Sequence, residues 1–174
     1  MTPRWIGALI ALALFGLDQL AKWWVTGPLG IDRLGDVMEL LPIFALRYAE
    51  NTGVSLGMLP ATSEAMRWGL VALTGTIALV VTVWMMREHR FGEIAPLALI
   101  LGGALGNIRD RVQFGYVIDY ADLHFGEFRP FMIFNLADAA ISIGVAIMLA
   151  RALLVRDKPS QPADGAPGGP AETT

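Results

Sequence analysis

The amino-acid sequence predicts an all-α membrane protein with four transmembrane helices and a small extracytoplasmic β-rich loop region. Of its 174 residues, 55% are hydrophobic and only 17% are charged, whereas a soluble domain carries about 25% charged residues. The mean hydropathy is +0.53. The apolar residues form four long runs, each near the ~20 residues that a helix needs to cross a bilayer.

The four predicted spans are separated by polar segments that contain turn residues. They cover residues 5–25, 65–86, 94–112 and 131–154. Together they form one predicted transmembrane domain, residues 1–158, followed by a disordered tail at residues 159–174 that is rich in proline, glycine and alanine. Between the first two spans, short alternating segments at Val37–Leu41 and Phe44–Tyr48 predict strands.

The first apolar run has a second interpretation. Arg4 precedes it, as a basic residue precedes the apolar part of a cleaved signal peptide. The run continues, however, through Asp18 to the tryptophan pair Trp23 and Trp24, a pattern typical of a membrane interface. We therefore predict a retained helix.

Charges that flank the spans predict the orientation. Four spans place both termini on one side of the membrane, and the basic residues on that side are Arg4, Arg87, Arg90, Arg151, Arg156 and Lys158. The loops on the other side are predominantly acidic. By the positive-inside rule, both termini are cytoplasmic and the polar loops face outward.

Several functional classes are excluded or disfavoured. The chain has no cysteine, which excludes disulfides, thiolate metal sites and cysteine nucleophiles. The net charge of −3 and the lack of a basic patch give no indication of nucleic-acid binding. The two histidines, His89 and His124, fall on opposite sides of the predicted membrane, so we expect no metal site.

Polar residues of three helices fall at one depth. Counting outward along the first helix, Asp18 lies ~20 Å from its start, and Arg109 lies ~22 Å along the third helix. Asp138 lies about 10 Å below the outer end of the fourth helix. Each ionisable group inside a membrane costs roughly 2.5–3.5 kcal/mol on insertion scales. Their shared position in the outer third of a ~30 Å core therefore predicts a functional site.

The spacing of polar residues within each helix also supports a site at this depth. Asp18 and Lys22 are four residues apart and share a face, as do Asn135 and Asp138 at three residues. The segment Gly102–Gly106 is a GxxxG motif, which allows close helix contact within one chain or between two. For Asp18 and Lys22, hydrogen bonding between helices is a better explanation than direct chemistry.

Asp119 and Asp138 are the strongest candidates for chemistry. Both follow or begin a span at the same membrane face, so a short return of the loop could bring them together. Two adjacent carboxylates share a proton, and one can then act as base while the other acts as acid on a peptide bond. Spacing alone leaves Asp110 and Asp122 as competitors.

Three alternatives remain at this point. A desolvated Lys22 could act as base for Ser55 or Ser63 in a Ser–Lys peptidase. The G-x-S-x-G pattern at residues 53–57 requires a large α/β sheet, for which four spans leave no room. A proton-coupled carrier is the non-enzyme alternative, although no ionisable group lies in the cytoplasmic half of any helix.

Taken together, the motifs resemble the lipoprotein signal peptidase family, signal peptidase II. The matching segments occur in the family's order and are residues 18–22 (DQLAK), 51–53 (NTG), 102–111 (GGALGNIRDR), 117–120 (VIDY) and 134–138 (FNLAD). One departure follows Gly53, where Val54, Ser55 and Leu56 replace the family's usual two alanines and phenylalanine.

The resemblance implies an aspartic endopeptidase of the bacterial inner membrane, with its active site near the outer face. It would cut prolipoproteins just before a diacylglyceryl-modified cysteine, in contact with membrane lipid, as a monomer and without a cofactor. By position, the catalytic pair would be Asp119 and Asp138. The residues that would contact substrate are Asn51, Asn107, Arg111 and Asn135, and those that would support the site are Asp18, Lys22, Gly53 and Asp110.

Overall fold

The protein is described here from a computed structural model that covers residues 2–53 and 64–154. The predicted tail, residues 159–174, and the serines Ser55 and Ser63 lie outside the described residues. The elements in chain order are α1 (Pro3–Thr26), β1 (Val37–Leu41), β2 (Phe44–Asn51), α2 (Glu64–Arg87), α3 (Phe91–Phe114), β3 (Val117–Leu123) and α4 (Leu136–Leu154). In these ranges, four helices are long and apolar enough to cross a membrane. The predicted fold class is thus confirmed.

Helix α3 is the centre of the bundle. It packs against α1, α2 and α4, whereas α1 touches α2 and α4 over smaller areas. In its apolar window 56% of the residues are buried, against 17–22% in the other three helices. Helices α1, α2 and α4 therefore present most of their large apolar side chains to the surface, as expected where lipid is the solvent.

Glycines on α3 allow this central position. A Cβ atom on Gly102 would lie 2.6 Å from the backbone oxygen of Ala11 in α1, and one on Gly103 would lie 2.5 Å from that of Ala137 in α4. A Cβ on Gly106 would lie 2.5 Å from Oδ2 of Asp18. The GxxxG motif therefore serves packing within one chain, with different glycines facing different helices.

A three-stranded antiparallel sheet covers one end of the bundle, in the order β1-β2-β3. The predicted strands at residues 37–41 and 44–48 are confirmed, and the second continues to Asn51. Residues 113–130, predicted as a polar connection between two spans, contain β3. Gly115 makes the transition possible: its φ of 92° is left-handed, and its N–H donates to Arg111 O at 3.1 Å to end α3. The chain then turns back over the helix end as β3.

Helix α4 begins five residues after the predicted start of the span, at Leu136 rather than Phe131. The intervening residues bind β3 instead of extending the helix. Ala121 N–H donates to Phe134 O at 2.7 Å, and Phe134 N–H donates back to Ala121 O at 3.1 Å. This bridge carries the start of α4 to the side of β3.

Contacts between helix ends show which ends of the bundle lie together. Nε of Arg4, at the start of α1, donates to Glu88 O after α2 at 3.3 Å. Arg151, near the end of α4, pairs with Glu93 at the start of α3 at 2.6 Å. The start of α1, the α2–α3 connection and the end of α4 are therefore at one end of the bundle, and the sheet is at the other.

Candidate active site

Asp119 lies in the middle of β3 with 3% of its surface exposed. Register pairs it with Ala49 of β2. Its carboxylate accepts two amide hydrogen bonds, from Asn135 Nδ2 at 2.7 Å and from Asn51 Nδ2 at 3.1 Å. Side chains from β2 and from the start of α4 thus hold both of its oxygens.

Asp138 is placed by the beginning of α4. Asn135 precedes the helix and accepts a hydrogen bond from Asp138 N–H at 2.9 Å, while Asp138 Oδ2 accepts one from Asn135 N–H at 3.4 Å. This reciprocal pair is a capping box, which satisfies two backbone donors at a helix start. Because Asp138 is the third residue of the helix, its carboxylate lies at the positive end of the helix dipole.

Two amides connect the carboxylates. Asn107 Nδ2 donates to Asp138 Oδ1 at 2.8 Å, and Asn107 Oδ1 accepts from Asn135 Nδ2 at 3.2 Å. Since Asn135 also donates to Asp119, an unbroken path of hydrogen bonds runs from one carboxylate to the other. The chain after α3 thus turns back and brings Asp119 close to Asp138, as the sequence predicts.

The surroundings of Asp119 disfavour the charged form of its carboxyl group. Burial raises the pKa of the Asp119 carboxyl, and the neighbouring Asp138 raises it further, to about 7. Hydrogen bonds from Asn51 and Asn135 and the charge of Lys22 act in the opposite direction but are weaker. Asp138 is only half-buried. Near neutral pH, Asp119 therefore keeps its proton in a substantial fraction of the molecules.

Arg111 extends from α3 beneath the first outer loop. Its Nη2 donates to Gly53 O at 2.8 Å, and its Nη1 donates to Asn107 O at 3.4 Å. Its Nε is buried without a hydrogen-bond partner among the described residues. Gly53 N–H in turn donates to Asn51 Oδ1 at 3.2 Å, so the loop and the Asp119 site are tied together.

Asp18, Lys22 and Asp110 form what we call the ionic cluster. Lys22 Nζ lies 2.8 Å from Asp18 Oδ2 and 2.7 Å from Asp110 Oδ2, and all three side chains are almost completely buried. Asp18 Oδ1 also accepts from Ala137 N–H at 3.0 Å, which satisfies a backbone donor in the first turn of α4. The cluster therefore joins α1, α3 and α4 immediately beside the two-carboxylate site.

The two other acids considered for the catalytic pair, Asp110 and Asp122, each form an ion pair. Asp110 is bound by Lys22, as described above. Asp122 is bound by Arg47 at 3.0 Å and by Arg129 at 3.1 Å. Burial alone would raise the pKa of Asp122, but the hydrogen bonds and charges of these two arginines outweigh it and hold the pKa below its ordinary value. Each of these two acids is thus paired with at least one cation.

The family comparison agrees with this geometry. A family model described as "Signal peptidase (SPase) II" matches residues 10–154. The chain belongs to the signal peptidase II family. It is 55% identical over 161 residues to a lipoprotein signal peptidase of Sphingopyxis alaskensis, and 47% identical over 161 residues to one of Rhizorhabdus wittichii. Both alignments cover 92% of this chain and 92% of the relative.

Solved structures show the same fold. Two chains titled as structures of a bacterial membrane enzyme, determined by the in meso method at 2.3 and 1.9 Å, match with TM-scores of 0.74 and 0.72. They are 24% and 26% identical in sequence and cover 90% and 88% of this chain. Each match also covers 94% of the solved chain, so the likeness extends over the whole bundle and sheet.

The remaining alternatives lose their support. Membership of a signal peptidase family makes the chain a peptidase and removes the carrier interpretation. Lys22, the proposed base of a Ser–Lys pair, forms ion pairs with two carboxylates. Of the histidines, His89 contacts Arg4 at one end of the bundle, and His124 pairs with Glu39 on the sheet at 3.3 Å.

Sequence reasoning missed several residues that shape the site. Gln19 Nε2 donates to Asp18 and Asp110, at 3.0 and 3.2 Å, and Gln19 Oε1 accepts from Arg109. Arg67 of α2 donates to Arg111 O at 2.8 Å and so satisfies a carbonyl at the end of α3. Gln19 lies between two matched motif residues and could have been found there. Arg67 carries no sequence signal, because its partner is a backbone atom 44 residues away.

Proposed function

We propose that this protein is an aspartic endopeptidase that removes signal peptides from diacylglyceryl-modified prolipoproteins, cutting just before the lipidated cysteine. One observation carries the mechanism. Asp119 and Asp138 are joined through amides, and neither forms an ion pair with a described residue, whereas Asp18, Asp110 and Asp122 each do. The two carboxyl groups are thus the acids of this layer that can exchange protons with substrate and water.

The proposed reaction uses one shared proton. Asp138, half-buried and more accessible, acts as base and takes a proton from water as the water oxygen attacks the scissile carbonyl carbon. Asp119 supplies its retained proton to the carbonyl oxygen, giving a neutral gem-diol. Asp138 then gives its proton to the departing nitrogen, and Asp119 recovers one from a gem-diol hydroxyl as the C–N bond breaks. The products are a carboxylic acid and a free amine, and the pair is restored.

The surrounding residues support a peptide substrate. Asn51, Asn107 and Asn135 hold the carboxylates in place, and their amides could also bind a substrate backbone. The buried Nε of Arg111, which has no hydrogen-bond partner among the described residues, is a further donor close to Gly53. A donor buried without a partner is costly, so a ligand carbonyl there would be stabilised.

The substrate explains the depth of the site. A diacylglyceryl group stays in the outer leaflet, and the peptide bond beside it is then held at the membrane surface. We place both termini in the cytoplasm and the two-carboxylate site near the outer face of the bacterial inner membrane. The working unit is a monomer whose single peptidase domain comprises residues 1–158, because the GxxxG glycines are already used inside one chain.

The decisive experiment changes the two acids separately. Asp119→Asn and Asp138→Asn are each expected to reduce cleavage of a lipidated prolipoprotein about 10²–10⁴-fold, the usual contribution of a positioned acid or base. Cleavage is measured by the mass shift of the product from purified enzyme in detergent. Asp32→Asn is the matched control, because Asp32 is an exposed acid on the outer loops.

Wild-type cleavage by either variant would contradict the aspartic mechanism. If Ser55→Ala and Lys22→Ala abolished cleavage while both Asp variants retained it, the Ser–Lys mechanism would replace it. An unlipidated version of the same precursor tests the substrate: we expect little cleavage. Equal cleavage of both precursors would contradict the requirement for the lipid.

A further inference from the structure

A second feature lies on the face of the bundle that α1, α2 and α3 form together. An apolar groove of about 590 Å³ runs between α1, α2 and α3. Its walls include Trp5 and Ala8 of α1, Gly75 and Met86 of α2, and Leu101 of α3. The one hydroxyl in its lining, that of Thr82, donates to Ala78 O at 2.7 Å. Apart from this bonded hydroxyl and the indole N–H of Trp5, the walls of the groove are apolar.

The length of the groove indicates what fills it. Its α2 wall runs from Gly75 to Met86, which is ~16 Å at 1.5 Å per residue. On α3 the lining continues to Ile108, which lies ~25 Å from the start of that helix, so the groove passes the middle of a ~30 Å hydrocarbon core. One acyl chain can follow such a groove inward from its end at Trp5 and Met86.

The open end of the groove carries positive charge. Arg4 precedes Trp5 on α1, and Arg87 follows Met86 on α2. Arg4 fixes the two ends together through Glu88 O, at 3.3 Å, and through its contact with His89. The Glu88 carboxylate accepts from the backbone N–H groups of His89 and Arg90, at 2.8 and 3.1 Å.

Two arginines at this end remain available to a ligand. Arg87 and Arg90 are exposed, and neither forms an ion pair with another residue in the described ranges. Glu93, the other acid nearby, is paired with Arg151 at 2.6 Å. Arginine binds phosphate well because its planar donors match the phosphate oxygens.

We propose that this groove binds one anionic phospholipid, with an acyl chain along Gly75 and Trp5 and its phosphate at Arg87 and Arg90. The apolar walls select a hydrocarbon chain, and the exposed guanidinium groups select a negative headgroup. With the orientation proposed above, the lipid belongs to the cytoplasmic leaflet. Binding itself does not depend on the peptidase mechanism.

The test uses the delipidated full-length protein in detergent, titrated with dioleoyl phosphatidylglycerol or dioleoyl phosphatidylcholine and observed by native mass spectrometry. Gly75→Leu fills the groove without a clash, because a Cβ there meets nothing within 4 Å. Gly69→Leu is the matched control: it lies on the same helix, is equally free of contacts and is outside the groove lining. Cleavage activity reports that both variants are folded.

We expect one bound phosphatidylglycerol, weakened at least fivefold by Gly75→Leu and unchanged by Gly69→Leu. Arg87→Gln and Arg90→Gln should each weaken it about fivefold, since a basic residue near an anionic headgroup contributes ~1 kcal/mol. The outer-loop variant Arg33→Gln should have no effect. Equal affinity for both lipids, or Gly75→Leu binding as tightly as wild type, would overturn the proposal. A dimer that Gly75→Leu disrupts would overturn it in favour of a second copy.

A second measurement tests the proposal without Gly75→Leu, in case that variant fails to fold. Phosphatidylglycerol with brominated acyl chains should quench the fluorescence of Trp5 in a protein whose other four tryptophans are changed to phenylalanine. Brominated phosphatidylcholine at the same concentration should quench it less. Equal quenching by the two lipids overturns the headgroup preference, and no quenching by either overturns the site.

Discussion

Two groups of acids lie side by side at the end of the bundle that carries the sheet, and they differ in what surrounds them. In the ionic cluster, one ammonium lies within 2.8 Å of two carboxylates. At Asp119 and Asp138 the partners are amides, which hold the acids without neutralising them. The acids are of the same residue type in both groups. The nearest cation is what distinguishes the groups, and in the proposed mechanism it separates a structural acid from a reactive one.

The largest stability effect should come from breaking the ionic cluster. Lys22→Ala leaves Asp18 and Asp110 buried without their cation, and removal of one partner from a buried ion pair costs about 3–5 kcal/mol. We expect a lower unfolding temperature, measured by scanning fluorimetry in detergent, together with lost cleavage. Arg33→Ala removes an exposed cation instead and should change neither quantity.

Neutralising the whole cluster sharpens the same test. Replacing Lys22 by Met together with Asp18 and Asp110 by Asn removes the unpaired charges, and such replacements are often neutral or stabilising. The triple variant should recover much of the stability that Lys22→Ala loses. A triple variant as unstable as the single one would mean that the charges themselves are not what the cluster contributes.

The pH dependence of the free energy of unfolding should reveal that Asp119 has a raised pKa. The pKa of Asp119 is raised by burial from 3.8 to about 7, so between these values the folded state binds more protons than the unfolded one. Stability from this group is present below its ordinary pKa and is lost as the pH rises through about 7, by up to ~4 kcal/mol. Asp119→Asn removes that loss.

Unfolding temperatures at pH 4, 6 and 8 provide the measurement. Relative to wild type, Asp119→Asn should gain stability at pH 8 and gain little at pH 4. The exposed-acid variant Asp32→Asn should follow the wild-type curve throughout. Parallel curves for Asp119→Asn and wild type would show that Asp119 titrates normally.

The smallest stability effect should come from the amide between the two carboxylates. Asn135→Ala removes the cap of α4, at a cost of about 0.5–2 kcal/mol. Asn135→Ser keeps a capping oxygen, so it should be nearly as stable as wild type, but it lacks the amide nitrogen that donates to Asp119. Both variants should lose cleavage, measured against the lipidated precursor. A fully active Asn135→Ser would show that the amide bridge has only a structural role.

Much of this arrangement could be predicted because it depends on the spacing of residues within single helices. The four apolar runs and the shared depth of Asp18, Arg109 and Asp138 follow from helix geometry and bilayer thickness. Spacing alone could not separate Asp119 from its competitors Asp110 and Asp122, because the cations that pair with the competitors come from other elements. Arg47, for example, is 75 residues from Asp122.

The missed elements have physical causes. Strand β3 buries both of its faces, so Val117–Leu123 lacks the alternation that identifies a half-exposed strand. The start of α4 was placed too early because the apolar residues from Phe131 onward continue directly into the helix. The pattern Asn135–Asp138, a helix-capping residue followed three positions later by an acid, could have indicated the true start.

The capping box has a consequence for where a precursor is cut. Asp138 belongs to the first turn of α4, so the reacting carboxylate cannot move along the membrane normal unless the helix start moves with it. Changes in length within residues 124–133 would alter the loop above and leave that height untouched. In the proposed mechanism, the bundle thus sets the height of the scissile bond relative to the bilayer, independently of the precursor's sequence.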